Sequence, residues 1–100
     1  MRPYTLLDQD GFPADGKQGT AHYERLEGTN IVAMLPGEST DQAIVAIAHH
    51  DTVRDSPGAN DNTASVVCLL EMARALAGER LRPTLIFVTP DMEEIGLLGS

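Results

Sequence analysis

Two short, unbroken apolar runs flank a stretch whose apolar residues fall at helical spacing, and this switch of period narrows the folds open to the chain more than any other feature. The first run, Ala43 to Ala48, carries Ile44, Val45 and Ile47; the second, Pro83 to Thr89, carries Leu85, Ile86, Phe87 and Val88. Such runs read as buried strands. Between them Val66, Leu69, Leu70, Ala73 and Leu76 mark one face of an amphipathic helix, with Asn62 or Thr63 as N-cap and Gly78 as the stop. Ala43 to Thr89 is therefore a strand, helix, strand unit, for which parallel strands and a right-handed crossover are expected.

Upstream, Asn30 to Leu35 is a further apolar run closed by Pro36 and Gly37, again as a buried strand would be. The connection from Pro36 to Asp41 is hairpin-like in length and composition. Residues 1–28 are polar and rich in Gly and Asp, with an edge strand read from Thr20 to Leu26, so the division falls between an N-terminal segment, 1–28, and a folded portion, 29–100. The fold class is α/β, with a mixed, mostly parallel sheet and flanking helices. A sheet of so few strands with one helix leaves a face uncovered, which calls for further sequence or for self-association through that surface.

At 100 residues the chain supports one core at most. Its 15 acidic and 7 basic residues give a formal charge of -8, which disfavours nonspecific attraction to nucleic acid or to an anionic membrane surface. The single Cys68 excludes an internal disulfide and, inside an apolar helical run, reads as a small buried hydrophobe. Residues 1–12 lack a signal-peptide pattern, and no apolar run is long enough to span a bilayer. The compartment stays open.

Three polar clusters carry the chemistry, each at the C-terminal end of a strand or the start of the helix, where open α/β sheets bind ligands. In His49-His50-Asp51, residues two apart in extended chain share a side, so His49 and Asp51 can touch while His50 faces away. A carboxylate on one imidazole nitrogen makes the other a better metal ligand; the bland alternative is a loop histidine beside an acid. Gly58-Ala59-Asn60-Asp61-Asn62 reads either as ordinary capping or as a loop giving Asp61 to metal, with two oxygens able to bridge a pair of cations. Asp91-Met92-Glu93-Glu94 follows an apolar strand and precedes Ile95, Leu97 and Leu98, so burial is expected. Two buried carboxylates need partners, and binding metal with one while the other handles a proton supplies them.

Taken together, Ala48 to Thr52, Ser56 to Ser65 and Glu93 to Ser100 resemble metallopeptidase family 28, which includes bacterial leucyl aminopeptidases, aminopeptidase Y and relatives of glutaminyl cyclase. The resemblance covers about Asn30 to Ser100, and three motifs in order are far more specific than any one. It implies a zinc-exopeptidase-like, phosphorylase/hydrolase-like sandwich, of which 29–100 would be the N-terminal portion of a truncated catalytic domain. It also implies that His49 binds one zinc ion, Asp61 bridges two and Glu94 binds the other, with Glu93 as general base and Asp51 orienting His49. The implied substrate is a peptide with a free terminus, and the Asp61-Asn62 bond is expected to be cis.

The family pattern needs an aspartate and a histidine after the double glutamate, and neither follows before Ser100. The expectation is that these 100 residues alone bind zinc weakly and turn over no peptide. Other readings are a glutaminyl cyclase-like acyltransferase, a non-catalytic interaction domain of the same fold, and a small acidic binding domain. A carboxypeptidase G-like peptidase also uses His-x-Asp and Glu-Glu, but it places a longer segment before its second aspartate than separates His49 from Asp61.

Overall fold

The computed structural model describes residues 4–6, 21–23 and 26–100. β1 (Tyr4–Leu6) and β2 (Ala21–Tyr23) pair antiparallel, with Thr5 opposite His22. β2 lies within the edge strand read from Thr20 to Leu26; Leu26 is not in a strand, and Thr20, Glu24 and Arg25 fall outside the described residues.

A second sheet holds β3 (Ile31–Leu35), β4 (Ala43–Ile47) and β5 (Thr84–Thr89) in the order β3-β5-β4, with α1 (Ala64–Leu76) between β4 and β5 in the chain. β4 and β5 are parallel, as the strand, helix, strand pattern requires, with Ala46 opposite Phe87. β3 runs antiparallel to β5, with Leu35 opposite Leu85. One ladder in two is parallel, so the sheet is mixed without being mostly parallel. α1 is the one α-helix among the described residues.

The hairpin-like connection does not make a hairpin, because β5 sits between β3 and β4. β5 is the strand whose residues are all buried or half-buried, whereas most of β3 and β4 is exposed. The central place pairs the backbone of the most deeply set strand on both edges, where unpaired amides would be costly. The 36–42 connection instead crosses the N-terminal end of β5. There the Gly37 amide donates to Thr84 Oγ1 at 3.0 Å, and the Glu38 and Ser39 amides donate to the Leu81 and Arg82 carbonyls, each at 2.8 Å.

α1 packs on one face of this sheet. Ala48, Leu69 and Phe87 form the buried core, with Leu35, Ala46, Val66, Ala73 and Leu85 packed around them. Of the helical residues read as core-facing, Leu70 points out at 60% exposure. Cys68 is exposed as well, correcting its reading as a buried hydrophobe. They flank the stripe of Val66, Leu69 and Ala73 on opposite sides of α1, Leu70 one turn beyond Val66 and Cys68 on the other edge. The helix ends as expected, with left-handed Gly78 following Ala77, while Thr63 occupies the N-cap position without a side-chain capping bond.

On the opposite face of the sheet, Val32, Met34, Val45 and Ile47 are 57–60% exposed. The reading of β3 and β4 as buried strands is thus corrected: their apolar runs meet no covering layer on that side. No helix among the described residues is long and apolar enough to cross a membrane.

This asymmetry predicts where truncation is felt. Phe87→Ala, which empties the centre of the core, is expected to cost about 3 kcal/mol or more, while Val32→Ser on the bare face shifts stability by about 0.5 kcal/mol or less. Urea denaturation followed by circular dichroism measures both, and equal effects would contradict the one-sided core.

Candidate metal centre

The parallel pairing of β4 and β5 brings their C-terminal ends to one rim. It continues past both strands, with the Ala48 amide donating to the Val88 carbonyl and the His50 amide to the Pro90 carbonyl, each at 3.0 Å. This register sets His49 and Asp51 beside the loop that carries Glu93 and Glu94. The chain enters α1 at the same rim through Gly58, whose φ of 66° suits a residue without Cβ; a Cβ there would stand 2.9 Å from Thr52 Cβ. The Thr63 amide closes the turn on the Gly58 carbonyl at 2.9 Å. Within this turn the Asp61-Asn62 peptide is cis.

His49 lies at the centre, its side chain only 13% exposed. Its Nδ1 is 3.1 Å from the Asp51 carbonyl oxygen and 3.3 Å from Asp51 Oδ1. A proton on Nδ1 satisfies these acceptors and leaves the Nε2 lone pair for a ligand. Nε2 stands 3.2 Å from Asp61 Oδ1 and 3.8 Å from Glu93 Oε2. His50 turns elsewhere: its Nδ1 meets the Thr89 carbonyl at 3.1 Å, and its Nε2 is 3.8 Å from Asp91 Oδ2.

The structure thus gathers His49, Asp51, Asp61, Glu93 and Glu94, the five residues singled out in the sequence. One ligand atom each from His49, Glu93 and Glu94 lies within 4.8 Å of the others. Asp61 reaches this group from the solvent side, its side chain 69% exposed. Asp51 has a further contact that the sequence reading missed. Its Oδ1 and Oδ2 accept the amides of Glu93 and Glu94, each at 3.0 Å. The partners are 42 and 43 residues apart, and nothing local in the sequence signals such a bond.

Charge is crowded here. Burial, then the Asp61 and Glu93 carboxylates, push the Glu94 carboxyl above its ordinary value of 4.5 despite the nearby imidazole. For His49, burial acts against the cation but is outweighed by Glu93, the Asp51 carbonyl, and the Asp51 and Glu94 carboxylates, so its value is raised from 6.5. Glu94 is half-buried as a whole, yet its Oε1 is sealed from solvent and has no hydrogen-bond partner among the described residues. A sealed, unpaired carboxylate oxygen beside an imidazole and further carboxylates fits a cation, and a mixed N/O donor set suits zinc.

An imidazole and carboxylates thus converge at the rim where the parallel strands of an α/β sheet end, the edge at which open α/β sheets bind ligands. Residues 30–100 match Peptidase family M28, and the chain belongs to that family. It is similar to a "Probable zinc metalloprotease" of Pyricularia oryzae, 36% identical over 81 residues, covering 72% of the chain and 16% of the relative. It is also similar to "Leupeptin-inactivating enzyme 1" of Streptomyces exfoliatus, 37% identical over 96 residues (94% and 22%). A third relative is "Aminopeptidase YwaD" of Bacillus subtilis, 44% identical over 57 residues (57% and 12%). The chain spans less than a quarter of the length of these curated relatives. No solved structure matches it significantly.

The raised values give a signed pH dependence for the metal-free protein. A folded state that holds a proton more tightly than the unfolded state loses stability as pH rises through the folded value. The Glu94 contribution is complete below 4.5 and declines above it; the His49 contribution is complete below 6.5 and declines above that. Glu94→Gln should remove the lower of these declines, leaving the variant more stable than the parent at neutral pH. Urea midpoints across the pH range in chelator measure this, and parallel profiles for the two proteins would refute it.

Proposed function

We propose that the chain contributes to a zinc-dependent exopeptidase of the aminopeptidase type, which hydrolyses the terminal bond of a peptide with a free end. The observation that carries this reading is the meeting of His49 Nε2, Asp61, Glu93 and Glu94 at one rim, with Glu94 Oε1 sealed and unpaired. Membership of the family and the printed names of its relatives support it. Residues 29–100 then form the N-terminal portion of the catalytic domain, on the zinc-exopeptidase plan of a sheet sandwiched by helices.

In this reading His49, Asp61 and Glu94 would hold a pair of zinc ions, His49 and Glu94 one each and Asp61 shared between them. Bound there, zinc would supply Lewis-acid polarisation of the scissile carbonyl and a lowered pKa for water. The chain's own part is to place and move protons. Glu93 faces the same space as His49 Nε2, and its carboxylate takes the proton of the attacking water and passes it to the leaving amine. Asp51 acts twice: beside Nδ1 it holds the imidazole with Nε2 directed at the metal, and by accepting two amides it fixes the backbone that carries both glutamates.

Substitution in the intact protein separates these roles. Glu93→Gln is expected to keep its zinc and lose about 10²- to 10⁴-fold in kcat, the range for a general base. His49→Ala and Glu94→Ala should instead lose zinc, with activity following the metal. Hydrolysis of an aminoacyl p-nitroanilide, paired with metal analysis, reads both quantities. Full turnover by Glu93→Gln, or unaltered zinc content in His49→Ala and Glu94→Ala, would defeat the assignment.

A further inference from the structure

Asn30 lies immediately before β3, and because Ile31 pairs with Thr89, it stands at the rim where β5 gives way to the loop from Asp91 to Ser100. Both functional ends of its amide are used on that loop. Oδ1 accepts the Asp91 amide at 3.0 Å, and Nδ2 donates to the Gly99 carbonyl at 2.5 Å. One side chain thereby fastens the two ends of a nine-residue excursion, Asp91 to Gly99, that has Glu93 and Glu94 inside it. The neighbouring backbone adds to the clasp, since the Thr29 amide donates to Asp91 Oδ2 at 3.0 Å.

The excursion depends on being held. Met92, Gly96 and Leu97 all have positive φ, at 56°, 104° and 58°, a region that residues with a Cβ rarely adopt. Its internal bonds among the described residues are four: the Gly96 and Leu97 amides donate to the Glu93 carbonyl at 3.2 and 2.8 Å, the Leu98 amide to the Met92 carbonyl at 3.0 Å, and the Met92 amide to Asp91 Oδ1 at 2.9 Å. At the clasp the chain passes so close that a Cβ on Gly99 would overlap the Asp91 carbonyl and stand 2.7 Å from Asn30 Oδ1.

We propose that Asn30 is a positioning residue for the metal centre: by closing the Asp91–Gly99 loop at both ends, it sets where Glu93 and Glu94 stand relative to His49. Asn30 touches neither glutamate side chain nor the imidazole in the hydrogen bonds it makes among the described residues. It acts through the loop backbone, opposite the point where Asp51 grips the Glu93 and Glu94 amides. The inference rests on the reading of His49, Asp61 and Glu94 as zinc ligands and Glu93 as base.

The test uses the intact protein and three readouts: zinc affinity by competition with a chelating indicator, the visible spectrum of the cobalt(II)-substituted protein, and kcat and KM for an aminoacyl p-nitroanilide. Asn30→Ala is expected to weaken zinc about tenfold, as loss of supporting contacts around ligands does. It should also change the cobalt spectrum, and it should lower kcat about tenfold or more with KM held within about twofold, because small displacements of catalytic groups act on rate. Asn30→Asp keeps an acceptor for the Asp91 amide but has no donor for the Gly99 carbonyl, so its losses should be smaller and in the same direction. If Asn30→Ala fails to fold, Asn30→Asp alone decides. Parent-like affinity, spectrum and kcat in the folded variants would overturn the proposal, as would a loss confined to KM. His49→Ala is run alongside: if it too retains zinc, the zinc-ligand reading has failed; if it loses zinc while the Asn30 variants behave like the parent, the positioning role alone has failed.

Discussion

The carboxylate of Asp51 ties together two chain segments that sequence keeps more than forty residues apart. It follows β4, lies beside the Nδ1 side of His49, and accepts the two amides at the turn after β5. Hydrogen bonds from amides to a charged acceptor are each worth about 1.5–3 kcal/mol, comparable with burying a large apolar side chain. In a fold whose buried hydrophobic core among the described residues is Ala48, Leu69 and Phe87, such a pair is a main structural tie. The imidazole and the double glutamate are fixed relative to one another because one side chain touches both.

That tie also holds like charges together. Two unit charges 4 Å apart repel by about 4 kcal/mol at an effective dielectric constant near 20; Asp61 and Glu93 each lie within 4 Å of His49 Nε2, and Glu94 brings an oxygen within 4.8 Å of ligand atoms of His49 and Glu93. Burial first, then the Asp61 and Glu93 carboxylates, raise Glu94, and the surrounding carboxylates raise His49 against the effect of burial, so a proton bound at either relieves part of that repulsion. A divalent cation would relieve it more completely and would meet Glu94 Oε1, which has no hydrogen-bond partner among the described residues. Local stability is sacrificed at this rim in the pattern expected of a functional site, where an otherwise consistent fold departs from its own rules.

Periodicity made the strand, helix, strand unit legible, because period and capping are properties of neighbouring residues. The convergence of the polar clusters was legible for the same reason, since parallel strands flanking a helix put their C-terminal ends and the helix start at one edge. The strand order was not legible. Pro36 to Asp41 has the length and composition of a hairpin, and only the competition among three apolar strands for the central position decides that β5 enters between its neighbours. The facing of α1 was read too wide: Leu70 and Cys68 are apolar enough for a core, but only one stripe of the helix meets a sheet this narrow. The long-range bonds of Asp51 and Asn30 left no local trace, because an acid in a loop and an amide before a strand are ordinary in both places.

The order β3-β5-β4 bears directly on the centre. A hairpin of β3 and β4 would have left β5 at an edge, with one neighbouring strand to support the loop that leaves it. Insertion between them gives that loop a support on each side. Asp51, at the end of parallel β4, holds the Glu93 and Glu94 amides from one flank, and Asn30, at the start of antiparallel β3, holds Asp91 and Gly99 from the other. The antiparallel sense of β3 is what brings its first residue, rather than its last, to this rim. The single departure from a parallel sheet therefore places a second anchor where the double glutamate needs one, while the bare apolar face of Val32, Met34, Val45 and Ile47 lies on strands that support the site only through their ends.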